Sequence, residues 1–228
     1  MALRRPSRPA LAARPVPVPW NADPPGSDRR IEANLRPIAL EIKRDAALRL
    51  PATVAMAQDW HRRVFATIAL AVSYYAGEVR DSDPAFRELI GYEVEVGGAP
   101  GVPSADVPAA LVAFESGMRS ALAALDPVIA AGTPPATLSE LDAALRIAAI
   151  AHGEWIRIHP FANGNGRIAR LWANWVAARY GLPLFVRLRP RPASLLYGGA
   201  AALSMRGNHS PMVGVFRDLL RAQLTGQR

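Results

Sequence analysis

The sequence contains no cysteine, which excludes a disulfide scaffold, a thiolate metal site and a cysteine nucleophile. It also lacks any uninterrupted apolar run of about eighteen residues, the length that a membrane span needs. The N-terminal region has no continuous apolar stretch of the kind found in a signal peptide. From these absences we expect a soluble protein with no membrane partner, and a cytoplasmic location fits the missing cysteines.

Lysine is almost missing as well. Lys43 is the single lysine among 27 basic residues, and all the others are arginine. The net charge of +8 would by itself suggest a nucleic acid or an acidic membrane as partner. However, the preference for arginine accompanies a richness in alanine that is typical of high-GC codon usage, and part of the excess lies near the N-terminus. The charge therefore does not define a nucleic-acid-binding surface.

The chain divides into two parts by composition. Residues 1–26 contain seven prolines and four arginines, a composition typical of disordered or extended chain. Beyond them the apolar pattern has no break, and a chain with 50% hydrophobic residues can bury one sizeable core. We predict a Pro/Arg-rich tail over residues 1–26 and one domain over residues 27–228.

Apolar residues recur at intervals of three and four through most of that domain, which predicts α-helices. A capping-box pattern at Thr137 and Glu140 predicts one helix start, and His159 with Pro160 predicts its end. The stretch GYEVEVGG at 91–98 alternates instead, which indicates a short strand or one arm of a hairpin. The predicted class is all-α with one small β element, with helices over 29–50, from 51 to 75, 106–131, 137–158, from 165 to near 181, and from 210 onwards.

The segment HPFANGNGRIAR, residues 159–170, combines residue types that the helices around it do not. A loop enters a helix at Gly164, Asn165 and Gly166. Glycines there allow backbone N–H groups to converge at the positive end of the helix dipole. Such a helix start is an anion site of the kind that phosphates occupy.

Three side chains complete this pattern. Arg167 and Arg170 are three residues apart on the new helix, so both can neutralise the same polyphosphate. A histidine side chain ordinarily titrates near neutrality, so His159 is a candidate general base for an incoming hydroxyl. The alternative is an ordinary glycine-containing connection with two surface arginines and a buried histidine, but the complete set at this spacing favours a nucleoside triphosphate site.

The segment resembles the motif of the Fic (filamentation induced by cAMP) family. That motif reads His, any residue, Phe, any residue, Asp or Glu, then Gly-Asn-Gly-Arg, two residues and Arg. The stretches WHRRVF (60–65), YYAGEVR (74–80) and residues 92–103 resemble the helix, the Ala-Gly-x-x-Arg turn and the flap that precede it. The resemblance covers residues 28–228 and implies a Fic-type helical bundle with a small β-hairpin flap. The matching motif residues are His159, Phe161, Gly164, Asn165, Gly166, Arg167 and Arg170.

The resemblance implies a protein adenylyltransferase, which transfers AMP from ATP to a Ser, Thr or Tyr hydroxyl of a target protein. In that case His159 is the base, and the amides around Asn165 and Gly166 hold the α- and β-phosphates. Arg167 and Arg170 would hold the β- and γ-phosphates. The cofactor-binding residues implied in this way are Gly164, Asn165, Gly166, Arg167 and Arg170, and ATP with Mg²⁺ is the implied cofactor pair.

Asn163 departs from the family pattern, because it stands where the family has an Asp or Glu that holds Mg²⁺. An amide oxygen can bind this ion, but more weakly than a carboxylate. The departure indicates a raised metal requirement, an altered nucleotide preference, or loss of transfer with binding retained. The last option makes a nucleotide-binding regulatory or toxin–antitoxin module the alternative function. The intact Gly164 and Gly166 favour monophosphate transfer over the family's phosphorylating branch.

The segment DRRIEAN, residues 28–34, resembles in degenerate form the inhibitory helix of many Fic proteins. By that resemblance Glu32 would be regulatory, pairing with Arg170 and keeping the γ-phosphate out. The alternative is a plain helix start in which Glu32 is solvated or paired with Arg29 or Arg36. A partner antitoxin that supplies the helix in trans is the third possibility.

Overall fold

The structure is a computed structural model that describes residues 17–226 of the chain. Within them it has an all-α architecture with one small hairpin, as the sequence predicts, and contains no helix long and apolar enough to cross a membrane. The two strands pair antiparallel. The elements are α1 (Asp28–Asp45), α2 (Val54–Val64), β1 (Glu95–Val96), β2 (Ala99–Pro100), α3 (Val107–Leu125), α4 (Leu138–Ile158), α5 (Asn165–Arg179), α6 (Leu195–Ser204) and α7 (Ser210–Leu224).

The centre of the fold is the packed pair α4 and α5. α5 is buried almost all round, as expected for a helix enclosed by its neighbours, and α4 also contacts α3, α6 and α7. Trp155 of α4 and Trp172 of α5 lie with ring centroids 5.8 Å apart, and Phe114 of α3 packs against both. The loop that joins α4 to α5 is therefore attached at both ends to the best-packed part of the molecule.

The capping chemistry predicted for α4 is present. Thr137 Oγ1 accepts a hydrogen bond of 3.2 Å from the Glu140 amide, and Glu140 Oε2 accepts one of 2.7 Å from the Ala136 amide. At the other end His159 adopts a left-handed conformation with φ 53°, and its amide donates to Trp155 O at 3.0 Å. Pro160 cannot continue the helix, so α4 ends where the sequence predicts.

Three helix predictions need correction. The helix expected over 29–50 ends at Asp45, and Arg49 beyond it adopts a left-handed conformation with φ 48°, which an α-helix cannot contain. The helix expected to run from 51 to 75 ends at Val64, because Phe65 and Tyr75 both pack against Trp20, at centroid distances of 4.7 and 6.1 Å. Tertiary packing therefore overrides the local helical pattern. α3 ends at Leu125, before the predicted end at 131, and the following Asp126 instead pairs with α5. α6 has no counterpart among the predicted helices.

Part of the predicted tail packs against the domain. Of its residues 1–26, residues 1–16 lie outside the described part of the chain. Residues 17–26, which we call the N-terminal strap, pack against the helical domain: Trp20 is buried, and its amide donates a 2.8 Å hydrogen bond to the Tyr92 hydroxyl. The overall composition of residues 1–26 does not predict this packing, because it depends on one large apolar residue, Trp20.

Candidate active site

A cavity of about 1140 Å³ lies between the α4–α5 loop, the start of α5, the β1–β2 hairpin, α6 and the strap. This volume is large enough for a nucleotide-sized ligand. The cavity wall contains every residue that the sequence analysis assigned to the nucleotide site, namely His159, Asn163, Gly164, Asn165, Gly166, Arg167 and Arg170. Glu32, the predicted regulatory residue, does not line it.

The hydrogen bonding of His159 determines which ring nitrogen is free. Its Nδ1 lies 3.0 Å from the carbonyl oxygen of Ile156. Since a carbonyl can only accept, Nδ1 carries the proton and Nε2 keeps its lone pair. Burial lowers the pKa of His159 to about 4, partly opposed by the Ile156 bond and reinforced by the positive charge of Arg80. At neutral pH the imidazole is therefore an uncharged base.

Arg80 holds the backbone on both sides of this histidine. Its side chain is fully buried, and burial lowers its pKa to about 10, which leaves it charged at neutral pH. The guanidinium connects the end of α4 to the segments on either side of the β1–β2 hairpin, and a buried charge is stabilised by such bonds. It donates to His159 O (2.9 Å), Ile158 O (3.0 Å), Tyr92 O (2.9 Å) and Val102 O (2.9 Å).

The α4–α5 loop is fixed from inside by two side chains. Asn165 accepts from the Phe161 amide (3.0 Å) and donates to the Phe161 carbonyl (2.8 Å). Phe161 stacks on His61 at a centroid distance of 3.8 Å. Because His61 Nδ1 accepts from the Gly77 amide (2.9 Å), its Nε2–H donates to Asn163 O at 3.0 Å. Burial lowers the pKa of His61 to about 3, so it remains neutral.

The start of α5 presents free backbone donors. Gly164 adopts φ 79°, and a Cβ there would lie 2.8 Å from both His61 Nε2 and the Phe65 ring, so only glycine fits. Within residues 17–226 the amides of Asn165 and Gly166 have no hydrogen-bond partner. Unpaired N–H groups at the positive end of a helix favour an anionic ligand.

The two motif arginines both line the cavity but have different partners. Arg170 is 7% exposed, and its Nε donates to Leu188 O at 3.1 Å. Arg167 forms an ion pair with Asp23 of the strap, in which the two side chains are only 13% and 15% exposed. Its guanidinium also lies over the ring of Phe65, 5.1 Å from the centroid. Asp23 was missed by the sequence analysis, because it falls in the predicted tail.

The expected contact between Glu32 and Arg170 is not present. Glu32 Oε1 lies 3.3 Å from Arg36 Nη2 in a solvent-exposed pair, which is the plain-helix alternative. The physical reason is the orientation of α1, which buries Ile31 and Leu35 and leaves Glu32 on its outer face. Regulation through Glu32 is therefore not supported by this arrangement.

The residues around Asn163 do not fit a magnesium site held by the protein alone. The Asn163 side-chain oxygen already accepts a 2.6 Å hydrogen bond from the Gly164 amide. Across the described residues there is no group of three or more His, Asp or Glu side chains that could hold a metal ion. A single amide oxygen that already accepts a hydrogen bond is a weak donor set for Mg²⁺.

Solved structures resemble the chain at low sequence identity. A Fic-domain-containing signalling protein from Bacteroides thetaiotaomicron aligns with a TM-score of 0.60 and 19% identity over 84% of this chain and 68% of its own. Fic-1 from C. elegans aligns with a TM-score of 0.58 and 21% identity over 90% of this chain, which spans 53% of the Fic-1 chain. At such identities these matches show the fold alone.

A nucleotide-bound structure is among the similar ones. BepC, a VirB-translocated effector protein from Bartonella tribocorum with bound AMPPNP, aligns with a TM-score of 0.54 and 17% identity over 84% of this chain and 86% of its own. A search of curated proteins found no significant match. The sequence does match the Fic/DOC family over residues 51–177, more than half of the chain, and together with the fold this match shows that the chain belongs to the Fic/DOC family.

Proposed function

We propose that the protein is an adenylyltransferase, which transfers AMP from ATP to a Ser, Thr or Tyr hydroxyl of a target protein. One observation carries the proposal: a neutral His159 with a free Nε2 lines the same cavity as the unpaired amides of Asn165 and Gly166 and the guanidinium of Arg170. Membership of a family whose members commonly transfer AMP supports it, as does the AMPPNP bound to BepC.

In the proposed reaction the hydroxyl oxygen of the target attacks the α-phosphorus of ATP. A new phosphorus–oxygen bond forms, the bond from the α-phosphorus to the bridging oxygen breaks, and pyrophosphate leaves. His159 Nε2 takes the hydroxyl proton. Because burial and Arg80 disfavour the charged imidazolium, His159 gives this proton up readily after the transfer.

The remaining groups stabilise negative charge during this step. The amides of Asn165 and Gly166 at the start of α5 are oriented toward an anion before the ligand arrives, so little reorganisation is needed. Arg170 would bind the terminal phosphate. Arg167 would bind a phosphate once Asp23 has left it, because one guanidinium edge cannot hold both anions.

A nucleotide-binding regulatory or toxin–antitoxin module that lacks transfer is the second candidate. It is favoured by Asn163, whose side-chain oxygen is engaged by the Gly164 amide and which replaces the carboxylate of the family pattern. In such a module ATP would still bind at the α5 helix start, since the free amides there do not depend on a metal ligand.

The two candidates are separated by labelling. The purified chain is incubated with a cell extract and with ATP labelled at either the α- or the γ-phosphate. We expect protein-bound label from the α-position only. His159→Ala should lose about 10² to 10⁴ in rate, because a general base is removed, and should keep its affinity for an ATP analogue that cannot be cleaved between the α- and β-phosphates.

Each other outcome contradicts the proposal in a distinct way. Label from the γ-position alone indicates phosphorylation. Absence of label from both positions, with the ATP analogue still bound, indicates the regulatory module. A His159→Ala variant that labels as fast as the unmodified chain excludes His159 as the base.

A further inference from the structure

Both oxygen atoms of Asn163 already accept hydrogen bonds within the loop. The side-chain Oδ1 accepts the 2.6 Å bond from the Gly164 amide, and the backbone carbonyl accepts the 3.0 Å bond from His61 Nε2. Because an amide N–H can donate only to an acceptor, the oxygen end of the planar side chain lies at Gly164 and the NH₂ end lies away from it. Asn163 lines the cavity, and its Nδ2 has no hydrogen-bond partner among the described residues. The side chain therefore offers a ligand N–H donors rather than an unpaired oxygen.

A donor at this position suits an anion and opposes a cation. Mg²⁺ requires oxygen ligands in near-ideal octahedral geometry. Turning the Asn163 amide to present its oxygen to the ion would place the NH₂ group against the Gly164 amide, so that two donors face each other and a hydrogen bond is lost. The next donors along the chain, the amides of Asn165 and Gly166, also have no partner among the described residues. Asn163 therefore continues a row of donors that fits phosphate oxygens.

The charge of the cavity wall favours a nucleotide that is not neutralised by a metal ion. Four arginines line the cavity together with two carboxylates, and Asp23, which pairs with Arg167, adds a third carboxylate. An excess of positive charge remains even with Asp23 in place. A metal-free triphosphate carries more negative charge than its Mg²⁺ complex, so this wall attracts it more strongly. The arginines are Arg167, Arg170, Arg191 and Arg206, and the carboxylates that line the cavity are Glu93 and Glu95.

We propose that this site binds the nucleoside triphosphate without a Mg²⁺ ion held by the protein, and that Asn163 donates a side-chain N–H directly to a phosphate oxygen. The inference rests on the proposed function, since it concerns the form of ATP that the same cavity binds. Any Mg²⁺ that accompanies the nucleotide is then held by the phosphates alone. The carboxylate of the family pattern and the amide of this chain have opposite roles, because the first binds a cation and the second an anion.

The first measurement uses the unmodified chain. Calorimetry gives the affinity for the ATP analogue that cannot be cleaved between the α- and β-phosphates, once in excess Mg²⁺ and once in EDTA. We expect the affinity in EDTA to be tighter than in Mg²⁺ or within about 3-fold of it, because the arginines and amides bind phosphates without the ion. A loss of more than about 3-fold in EDTA would show that binding depends on the metal, and would overturn the proposal.

Asn163→Asp is the matched variant, because it exchanges the NH₂ group for an oxygen and keeps the oxygen that accepts from Gly164. We expect it to weaken the analogue in EDTA by about 10- to 100-fold, since a hydrogen bond to a charged group is lost and a carboxylate faces the phosphates. Mg²⁺ should restore the affinity to within about 5-fold of the unmodified chain, because a carboxylate can hold the ion. Asn21→Asp, which adds the same charge elsewhere on the cavity wall, should not make binding dependent on Mg²⁺.

Asn163→Ala separates the loss of the donor from the gain of a charge. It should weaken the analogue about equally in Mg²⁺ and in EDTA, because it provides neither a donor nor a ligand for the ion. If Mg²⁺ restores this variant as it restores Asn163→Asp, the effect does not come from the new carboxylate, and the argument is overturned. A thermal unfolding curve identifies any variant that fails to fold, and the comparison of Mg²⁺ with EDTA on the unmodified chain then decides.

Failure of the inference differs from failure of the proposed function. If Asn163→Asp binds the analogue in EDTA as tightly as the unmodified chain does, Asn163 is not a phosphate donor and only the inference is overturned. If the unmodified chain binds the analogue in neither solution, the nucleotide site and the inference are overturned together. If the analogue binds in EDTA but no label is transferred from the α-phosphate of ATP, the transferase is overturned and the binding inference stands.

Discussion

Replacement of Arg80 by lysine tests how strongly one buried side chain determines the active-site backbone. The guanidinium donates to four carbonyl oxygens, two at the end of α4 and one from each of the segments that flank the β1–β2 hairpin. An ammonium group has three donors and no planar fork, so at least one buried carbonyl loses its partner.

The expected loss of stability follows from these contacts. A buried acceptor left unsatisfied costs about 1–3 kcal/mol, and the strongly hydrated ammonium adds a further desolvation cost. We therefore expect Arg80→Lys to lower the free energy of unfolding by about 3 kcal/mol. For a chain of this size, that corresponds to a decrease in Tm of roughly 10 °C.

Chemical denaturation followed by circular dichroism measures this loss, and Arg62→Lys is the matched control. Arg62 forms a 3.4 Å ion pair with Glu78 and its side chain is 54% exposed, so we expect its replacement to cost less than about 1 kcal/mol. We also expect Arg80→Lys to slow the proposed AMP transfer, because the carbonyl of His159 loses its donor. Equal losses for the two variants would refute the argument that the four carbonyl contacts stabilise the site.

Two further predictions concern charge. Asp23→Asn should tighten binding of the ATP analogue, measured by calorimetry, by about 3- to 10-fold, because the strap carboxylate and a phosphate compete for Arg167. Asp28→Asn is the control, because its partner Arg189 does not line the cavity. Weaker binding by Asp23→Asn would show instead that Asp23 orients Arg167. Stability should fall as the pH decreases below about 6.5, the usual value in an unfolded chain, since burial holds the pKa values of His61, His152 and His159 at about 3, 3 and 4. The unfolded chain then binds more protons than the folded one, and each histidine lowers the free energy of unfolding by up to about 1.4 kcal/mol per pH unit. Denaturation at pH 7, 6 and 5 should show this slope, and His152→Gln should reduce it. A free energy of unfolding that does not change with pH would contradict the burial argument.

The parts of the site that sequence predicts are those encoded within a few residues. The end of α4 at His159, the glycine turn and the two arginines of α5 all depend on local spacing, and the structure brings them to one cavity. The hairpin near 91–98 and the all-α class can also be predicted from local sequence patterns. These features follow from backbone preferences that act over one or two turns of chain.

The features that sequence reasoning missed depend on contacts between distant residues. Asp23 reaches Arg167 across 144 positions, and Arg80 reaches the carbonyl of His159 across 79. No periodicity indicates that a charged side chain will be buried against backbone carbonyls. Tyr197, which lines the cavity, was missed because α6 was not predicted, although Ser194 caps that helix by accepting from the Leu196 amide at 3.1 Å.

The loop between α4 and α5 has a consequence for how such a protein can be controlled. Its two ends belong to helices that pack tightly together, and Asn165 and His61 brace it from within. The spacing between His159 and the amides of Asn165 and Gly166 is therefore already set in the free protein, so a regulator cannot act by changing this distance. Control has to act on entry to the cavity, so if the proposed transfer is correct, a regulator of this protein should change the concentration of ATP needed for half-maximal rate far more than the maximal rate itself.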